Sequence, residues 1–142
     1  KREIGDDSNQ LWNLPSLPGR VFAVDWSDDA TKIAAGSSLD GKGTIHIYGI
    51  DPDYKVPGDI DGIIKKPPHK RNGSENGKLT EYFKNGIKVI AKINHDSTGI
   101  YAVSFSPDGQ QLAAAGSDGR IRIYESAGGK QVTEFIPVPL KQ

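Results

Sequence analysis

Two stretches of the chain show the same order of short apolar runs and turn residues. The first is Arg20-Val-Phe-Ala-Val-Asp-Trp-Ser-Asp-Asp-Ala30, then Lys32-Ile-Ala-Ala-Gly-Ser-Ser38, then Thr44-Ile-His-Ile-Tyr48. The second is Gly99-Ile-Tyr-Ala-Val-Ser-Phe-Ser-Pro-Asp-Gly109, then Gln111-Leu-Ala-Ala-Ala-Gly-Ser117, then Arg120-Ile-Arg-Ile-Tyr124. Runs of β-branched and aromatic residues bounded by turn residues predict strands at 21–26 and 100–105. Leu112 to Ala115 predicts a strand of small residues suited to close sheet stacking, and Ile121, Ile123 and Tyr124 a third strand. Ser106-Pro-Asp-Gly109 carries turn chemistry, because Pro presets φ and Gly takes the last position. Asp118-Gly119 predicts a tight hairpin. Ala127-Gly-Gly129 predicts a further turn, and Gln131 to Val138 a fourth strand. Each unit therefore reads as one antiparallel sheet.

These residues carry a resemblance. Val-Ser-Phe-Ser-Pro-Asp-Gly, Leu-Ala-Ala-Ala-Gly-Ser-Asp-Gly and Ile-Arg-Ile-Tyr within 103–124 resemble the WD-repeat β-propeller family in its bacterial form. The segments at 17–24, 86–93 and 134–140 resemble, more narrowly, the propeller region of planctomycete-type multidomain proteins with a cytochrome c-like domain. No Cys-x-x-Cys-His is present, so a haem would belong elsewhere. The resemblance implies an all-β fold: two four-stranded antiparallel blades of a WD-type propeller. The expected organisation is the end of a preceding blade at 1–18, with a lone fourth strand near 9–14, then a blade at 19–95 and a blade at 96–142. A position outside the cytoplasm is a further implication of the narrower resemblance.

The first unit departs from the pattern between Gly49 and Asn85. Pro52, Pro57, Pro67, Pro68, Asn72-Gly73 and Asn76-Gly77 predict a mostly irregular insertion over 49–85. Within it Leu79 to Lys84 reads as a short helix that Asn85-Gly86 would end. Gly86-Ile-Lys-Val-Ile-Ala-Lys-Ile93 then predicts the fourth strand of that blade. The buried His, hydroxyl, Asp and aromatic network common in such repeats looks incomplete. Asp118 and Tyr124 hold two of its places, but Ala114 stands at the hydroxyl position and His95 lies about one residue out of register.

Composition narrows the chemistry. The chain has 142 residues, with 18 basic and 18 acidic side chains and no cysteine or methionine. Zero net charge argues against a nucleic-acid surface, and no run of about 18 apolar residues predicts a membrane span. Without cysteine there are no disulfides, thiolate metal sites or cysteine nucleophiles. Lacking an initiator Met, the chain reads as a processed or excised segment. Metal, catalytic and cofactor sites are not expected. Three scattered histidines (His46, His69, His95) make no zinc pattern. His95-Asp-Ser97 does not make a triad, whose members come from separate parts of a fold. Asp59-Ile-Asp61-Gly62 lacks calcium-loop spacing.

A propeller blade is apolar on both broad faces, and closed rings use about 4 to 8 blades. Two blades therefore predict further ones as partners, from the same precursor or another chain. The function expected is a non-catalytic protein-interaction scaffold. The alternatives are an accessory or binding domain of a cytochrome-like redox enzyme, or a structural subunit of an assembly. Contact with other proteins is expected at Lys65, Lys66, His69, Lys70, Arg71, Tyr82 and Phe83 in the insertion, with packing of the insertion onto its own blade an equal expectation for Tyr82 and Phe83, and on the opposite face at Leu39, Asp40 and Lys42.

Overall fold

A computed structural model describes residues 10–138. It contains two four-stranded antiparallel sheets and a helical segment. The first sheet runs β1 (Arg20–Trp26), β2 (Lys32–Leu39), β3 (Lys42–Ile50) and β4 (Ile87–His95), in that spatial order. The second runs β5 (Ile100–Phe105), β6 (Gln111–Gly116), β7 (Ile121–Glu125) and β8 (Gln131–Phe135). The all-β architecture expected from the sequence is present, strand for strand in the two repeated units. The lone strand expected near 9–14 is partly outside the described residues. Over 10–17 there is no strand; Asn13 N–H donates to Phe83 O at 2.7 Å.

The two sheets belong to one compact unit, which among the described residues spans 16–50 and 88–138. Residue alternation decides what they bury. On one face of the first sheet lie Ala34, Ile45 and Ile47, each 0% exposed. They join Ala91 with Ile100, Leu112, Ala114 and Tyr124 of the second sheet in one apolar core. Small residues allow the close approach. A Cβ on Gly36 would meet Ile100 Cγ2 at 2.6 Å, and one on Gly43 would meet Thr98 O at 2.4 Å. Polar ties reinforce the stack. Phe105 N–H donates to the Asp25 carboxylate at 2.7 Å, and Lys32 Nζ donates to Gly109 O at 3.2 Å.

The β1–β2 and β5–β6 turns are built alike. Ser27 Oγ donates to Asp29 at 2.7 Å and Ser106 Oγ to Asp108 at 2.5 Å. Each carboxylate also accepts a backbone N–H at 3.0 Å, from Thr31 or from Gln110. Each Ser Oγ accepts the N–H that opens the next strand. These donors hold Asp29 down to about 2, and Asp108 below its usual value for the same reason.

The second unit comprises, among the described residues, 10–15 and 51–87. Here the expectation of a mostly irregular insertion needs correction. It holds α1 (Gly58–Ile64), a 3-10 turn (Pro68–Lys70) and α2 (Gly73–Tyr82). Asn72 is not a breaker but the N-cap of α2. Its side chain accepts from Glu75 N–H at 2.9 Å while Glu75 accepts from Asn72 N–H at 2.9 Å, a reciprocal capping box. Ile60, Ile63, Leu79, Tyr82 and Phe83 form a separate small core, with Tyr54 and Ile64 against it.

Candidate interaction surfaces

The repeated strands place equivalent residues in unequal surroundings. In the second sheet Ile100 is fully buried, and Val103 and Phe105 are partly buried against the first sheet. Their counterparts in β1 are Val21, Val24 and Trp26, which are 45%, 57% and 45% exposed. The inequality reverses on the other faces. Ala34, Ile45 and Ile47 are sealed, whereas Ala113, Ile121 and Ile123 are only half-buried. Every residue of β8 is exposed, including Val132 and Phe135, and Ile136 and Val138 follow in the same state. One apolar rim thus opens along β1 and another along β7 and β8.

Buried polar groups are satisfied in two different ways. Tyr124 OH meets His95 Nε2 at 2.8 Å, a bond from β4 of one sheet to β7 of the next. Tyr48 OH meets His46 Nδ1 at 2.9 Å within its own strand. Desolvation raises both phenols to about 12 and lowers both imidazoles, so each ring is neutral near pH 7. At the corresponding place in the second sheet stands Arg122. Its guanidinium grips Asp118 through Nη2 at 2.5 Å and Nη1 at 3.3 Å, and reaches Glu134 through Nε at 3.3 Å. The Arg122 hydrogen bond holds Asp118 down to about 2. Asp118 N–H donates to buried Thr98 Oγ1 at 3.3 Å, and Thr98 Oγ1 lies 3.2 Å from Ser117 Oγ. The polar groups thus form two separate sets: Thr98, Ser117, Asp118 and Arg122 in one, and His95 with Tyr124 in the other.

The residues expected at contact surfaces divide by burial. Lys65 pairs with Asp61 at 2.6 Å, and Lys66 pairs with Glu75. His69 and Lys70 end the 3-10 turn, and both are exposed. Arg71, Tyr82 and Phe83 are buried, at 9%, 8% and 3% exposed. Arg71 donates to Ile63 O at 3.0 Å and Ile64 O at 2.9 Å, the last carbonyls of α1, where a cation also suits the helix dipole. Tyr82 and Phe83 fill the insertion's own core. These three residues hold the insertion together and present no surface. Leu39, Asp40 and Lys42 are exposed at the β2–β3 hairpin, where Asp40 and Gly41 take φ of 50° and 78°, the geometry of a tight hairpin turn. Leu39 and Lys42 also line a cleft of about 240 Å³ with Pro18, Thr44, Asn94 and Asp96.

Among the described residues no group of three or more His, Cys, Asp or Glu side chains is placed to hold a metal ion. No helix among them is long and apolar enough to cross a membrane.

Stacked four-stranded antiparallel sheets with repeated Ser-Asp turns define a propeller-type repeat protein. The WD domain, G-beta repeat family matches residues 10–48 and 87–125, more than half of the chain, and the protein belongs to that family. It is similar to WD repeat-containing protein 1 of Xenopus tropicalis, 26% identical over 122 residues that span 80% of this chain and 20% of the relative. It is 27% identical over 130 residues to actin-interacting protein 1 of Drosophila melanogaster, covering 84% of this chain and 21% of that protein. An uncharacterised WD repeat-containing protein of Schizosaccharomyces pombe is 24% identical over 139 residues, 90% of this chain and 23% of its own. The chain thus spans about a fifth of the length of these eukaryotic relatives.

Proposed function

We propose that the chain supplies two adjoining sheets of a β-propeller, that further sheets continue the stack along its open β1 edge and its open β7–β8 rim, and that the assembled protein is a non-catalytic interaction scaffold. The carrying observation is the unequal burial of equivalent residues. Ile100 and Val103 pack on a preceding sheet; Val21 and Val24 have the same chemistry and are 45% and 57% exposed. Ala34, Ile45 and Ile47 pack on a following sheet; Ala113, Ile121 and Ile123 are half-open. Burying a Val or Ile side chain is worth about 1.5–3 kcal/mol, so both rims favour more sheets of the same kind. The family supports a scaffold role, and one relative is named for interacting with actin. The contact surfaces of this chain are the Leu39–Lys42 hairpin and, separately, the insertion's Lys65, Lys66, His69 and Lys70. An accessory role beside a cytochrome-like domain, implied by the narrower resemblance, is a proposal that the flanking sequence decides.

The test is sedimentation of the 142-residue chain across a concentration series. Uncovered rims predict self-association, and Val24→Asp with Ile123→Lys should reduce it while the circular dichroism of the sheets persists. A compact 15.3 kDa monomer at every concentration, with no binding of a hydrophobic dye, overturns the proposal.

A further inference from the structure

The chain holds three Asn-Gly pairs, at 72–73, 76–77 and 85–86. Such pairs undergo a common reaction. The glycine backbone nitrogen attacks the asparagine side-chain carbonyl carbon, a new C–N bond closes a succinimide ring, and the side-chain nitrogen leaves as ammonia. Solvent water then opens the ring at either carbonyl, giving aspartate or isoaspartate, with no change of oxidation state. Glycine favours the attack because it has no side chain to obstruct it. What separates the three sites is whether the fold leaves the carbonyl and the nitrogen free to meet.

At Asn72 the fold holds the side chain away. Its side-chain carbonyl oxygen accepts Glu75 N–H at 2.9 Å, so ring closure would have to break that half of the capping box. At Asn76 the backbone is inside α2. Asn76 N–H donates to Asn72 O at 3.1 Å, Thr80 Oγ1 donates to Asn76 O at 2.9 Å, and Gly77 sits within the helical hydrogen-bond ladder. Helical dihedrals keep the Gly77 nitrogen away from the Asn76 side chain, and attack requires that turn to open.

Asn85 differs in each respect. It lies in the turn that follows α2, is exposed, and its side-chain amide has no hydrogen-bond partner among the described residues. Only its backbone is tied, by Asn85 N–H to Tyr82 O at 2.9 Å. The glycine beside it is required by the fold. Gly86 has φ of 77°, and a Cβ there would lie 3.1 Å from Tyr54 Cγ and 3.2 Å from Trp12 Nε1. The position most open to the reaction is therefore also one where the fold retains the residue that makes the reaction easy.

We propose that Asn85 is the deamidation site of the folded protein, and that its conversion to isoaspartate loosens the neck of the insertion. Gly86 O accepts Asp51 N–H at 3.0 Å, joining the two ends of the 51–87 segment. Isoaspartate at 85 adds a carbon to the main chain directly before Gly86 and displaces that carbonyl. Aspartate at 85 adds only a charge at an exposed turn and leaves the bond in place. The site behaves as a clock whose rate rises with pH, because the attacking backbone nitrogen must lose its proton.

The test is ageing of the folded chain at mildly alkaline pH. Site-resolved peptide mass spectrometry and enzymatic isoaspartate methylation are run beside a sample held in urea. Residue 85 should convert several-fold faster than 72 and 76 in the folded chain, and the three rates should converge in urea. Asn85→Ser should abolish the folded-state conversion, and limited proteolysis should cut 51–87 faster in aged wild type than in aged Asn85→Ser or fresh Asn85→Asp. Conversion at 72 or 76 ahead of 85, or the same ranking folded and unfolded, overturns the site. Equal proteolysis of aged wild type and aged Asn85→Ser overturns the loosened neck.

Discussion

The two sheets are near copies in sequence and unequal in what surrounds them. In the first, β2 and β3 are buried on both faces: Ala34, Ile45 and Ile47 on one, Ile33, Ala35, His46 and Tyr48 on the other. In the second only one face of the same strands is sealed, by Leu112, Ala114, Arg122 and Tyr124. A pattern of alternating residues specifies which side chains can be covered; it does not specify that a cover is present. Burial in a stacked repeat belongs to a sheet and its neighbour jointly, so the energy of a given residue depends on its place in the stack.

The largest effect expected from that difference is on core truncation. Ile47→Ala should cost about 2–4 kcal/mol, because Ile47 is 0% exposed in the inter-sheet core and the change leaves a cavity. Ile123→Ala removes the same atoms from a half-open position and should cost less than half as much. Urea denaturation of both variants measures the gap. In a longer chain carrying more repeats the gap should close, since Ile123 would acquire the cover that Ile47 already has. A gap that persists there breaks the inference that the two positions are equivalent.

The next contrast is Arg122 against His46. Both are buried at corresponding places, but one is a cation held by Asp118 and Glu134 and the other a neutral ring held by Tyr48. Asp118→Asn leaves the Arg122 charge, 8% exposed, without its main partner, and should cost about 1–3 kcal/mol at pH 7. The pH dependence follows from the sign of the shift. Asp118 titrates at about 2 when folded and at 3.8 ordinarily, so its contribution is fully present above 3.8 and fades as pH falls towards 2. Thermal melts of wild type and Asp118→Asn should therefore converge across that interval. His46→Gln should leave this acid window unchanged. Its own effect should lie below 6.5, where wild type loses stability because the depressed imidazole must take up a proton.

Much of this was legible in the sequence, for a local reason. Strand period and the Ser-Pro-Asp-Gly turn act over a few residues, so eight strands could be read or inferred before any long-range contact was known. The insertion was misread because Asn72-Gly73 is ambiguous. The pair suits a turn, but Asn72-Gly-Ser-Glu75 is also the reciprocal capping signature, and Ile60, Ile63 and Ile64 at helical spacing marked α1. Arg71 could not be placed from the sequence. A basic run looks solvated until the fold brings the carbonyls of Ile63 and Ile64 within reach of its guanidinium.

The smallest effect is the most direct comparison, because it concerns one backbone conformation in two copies. Ala30 and Gly109 close equivalent turns, in which Ala30 N–H donates to Ser27 O and Gly109 N–H to Ser106 O, both at 2.8 Å. Both residues are left-handed, with φ of 56° and 65°. That region costs a residue with a Cβ about 1–2 kcal/mol, while glycine gives back about 0.4–1 kcal/mol through the greater freedom of its unfolded chain. Ala30→Gly should therefore stabilise the protein by a few tenths to about 1 kcal/mol, and Gly109→Ala should destabilise it by a similar amount. A Cβ at 109 would lie 3.5 Å from Ser27 Cβ, an ordinary contact, so the penalty there is conformational and not steric. Equal midpoints for the pair Ala30→Gly and Gly109→Ala would mean that the two turns do not share their geometry in solution, and the equivalence of the sheets would fail at its simplest point.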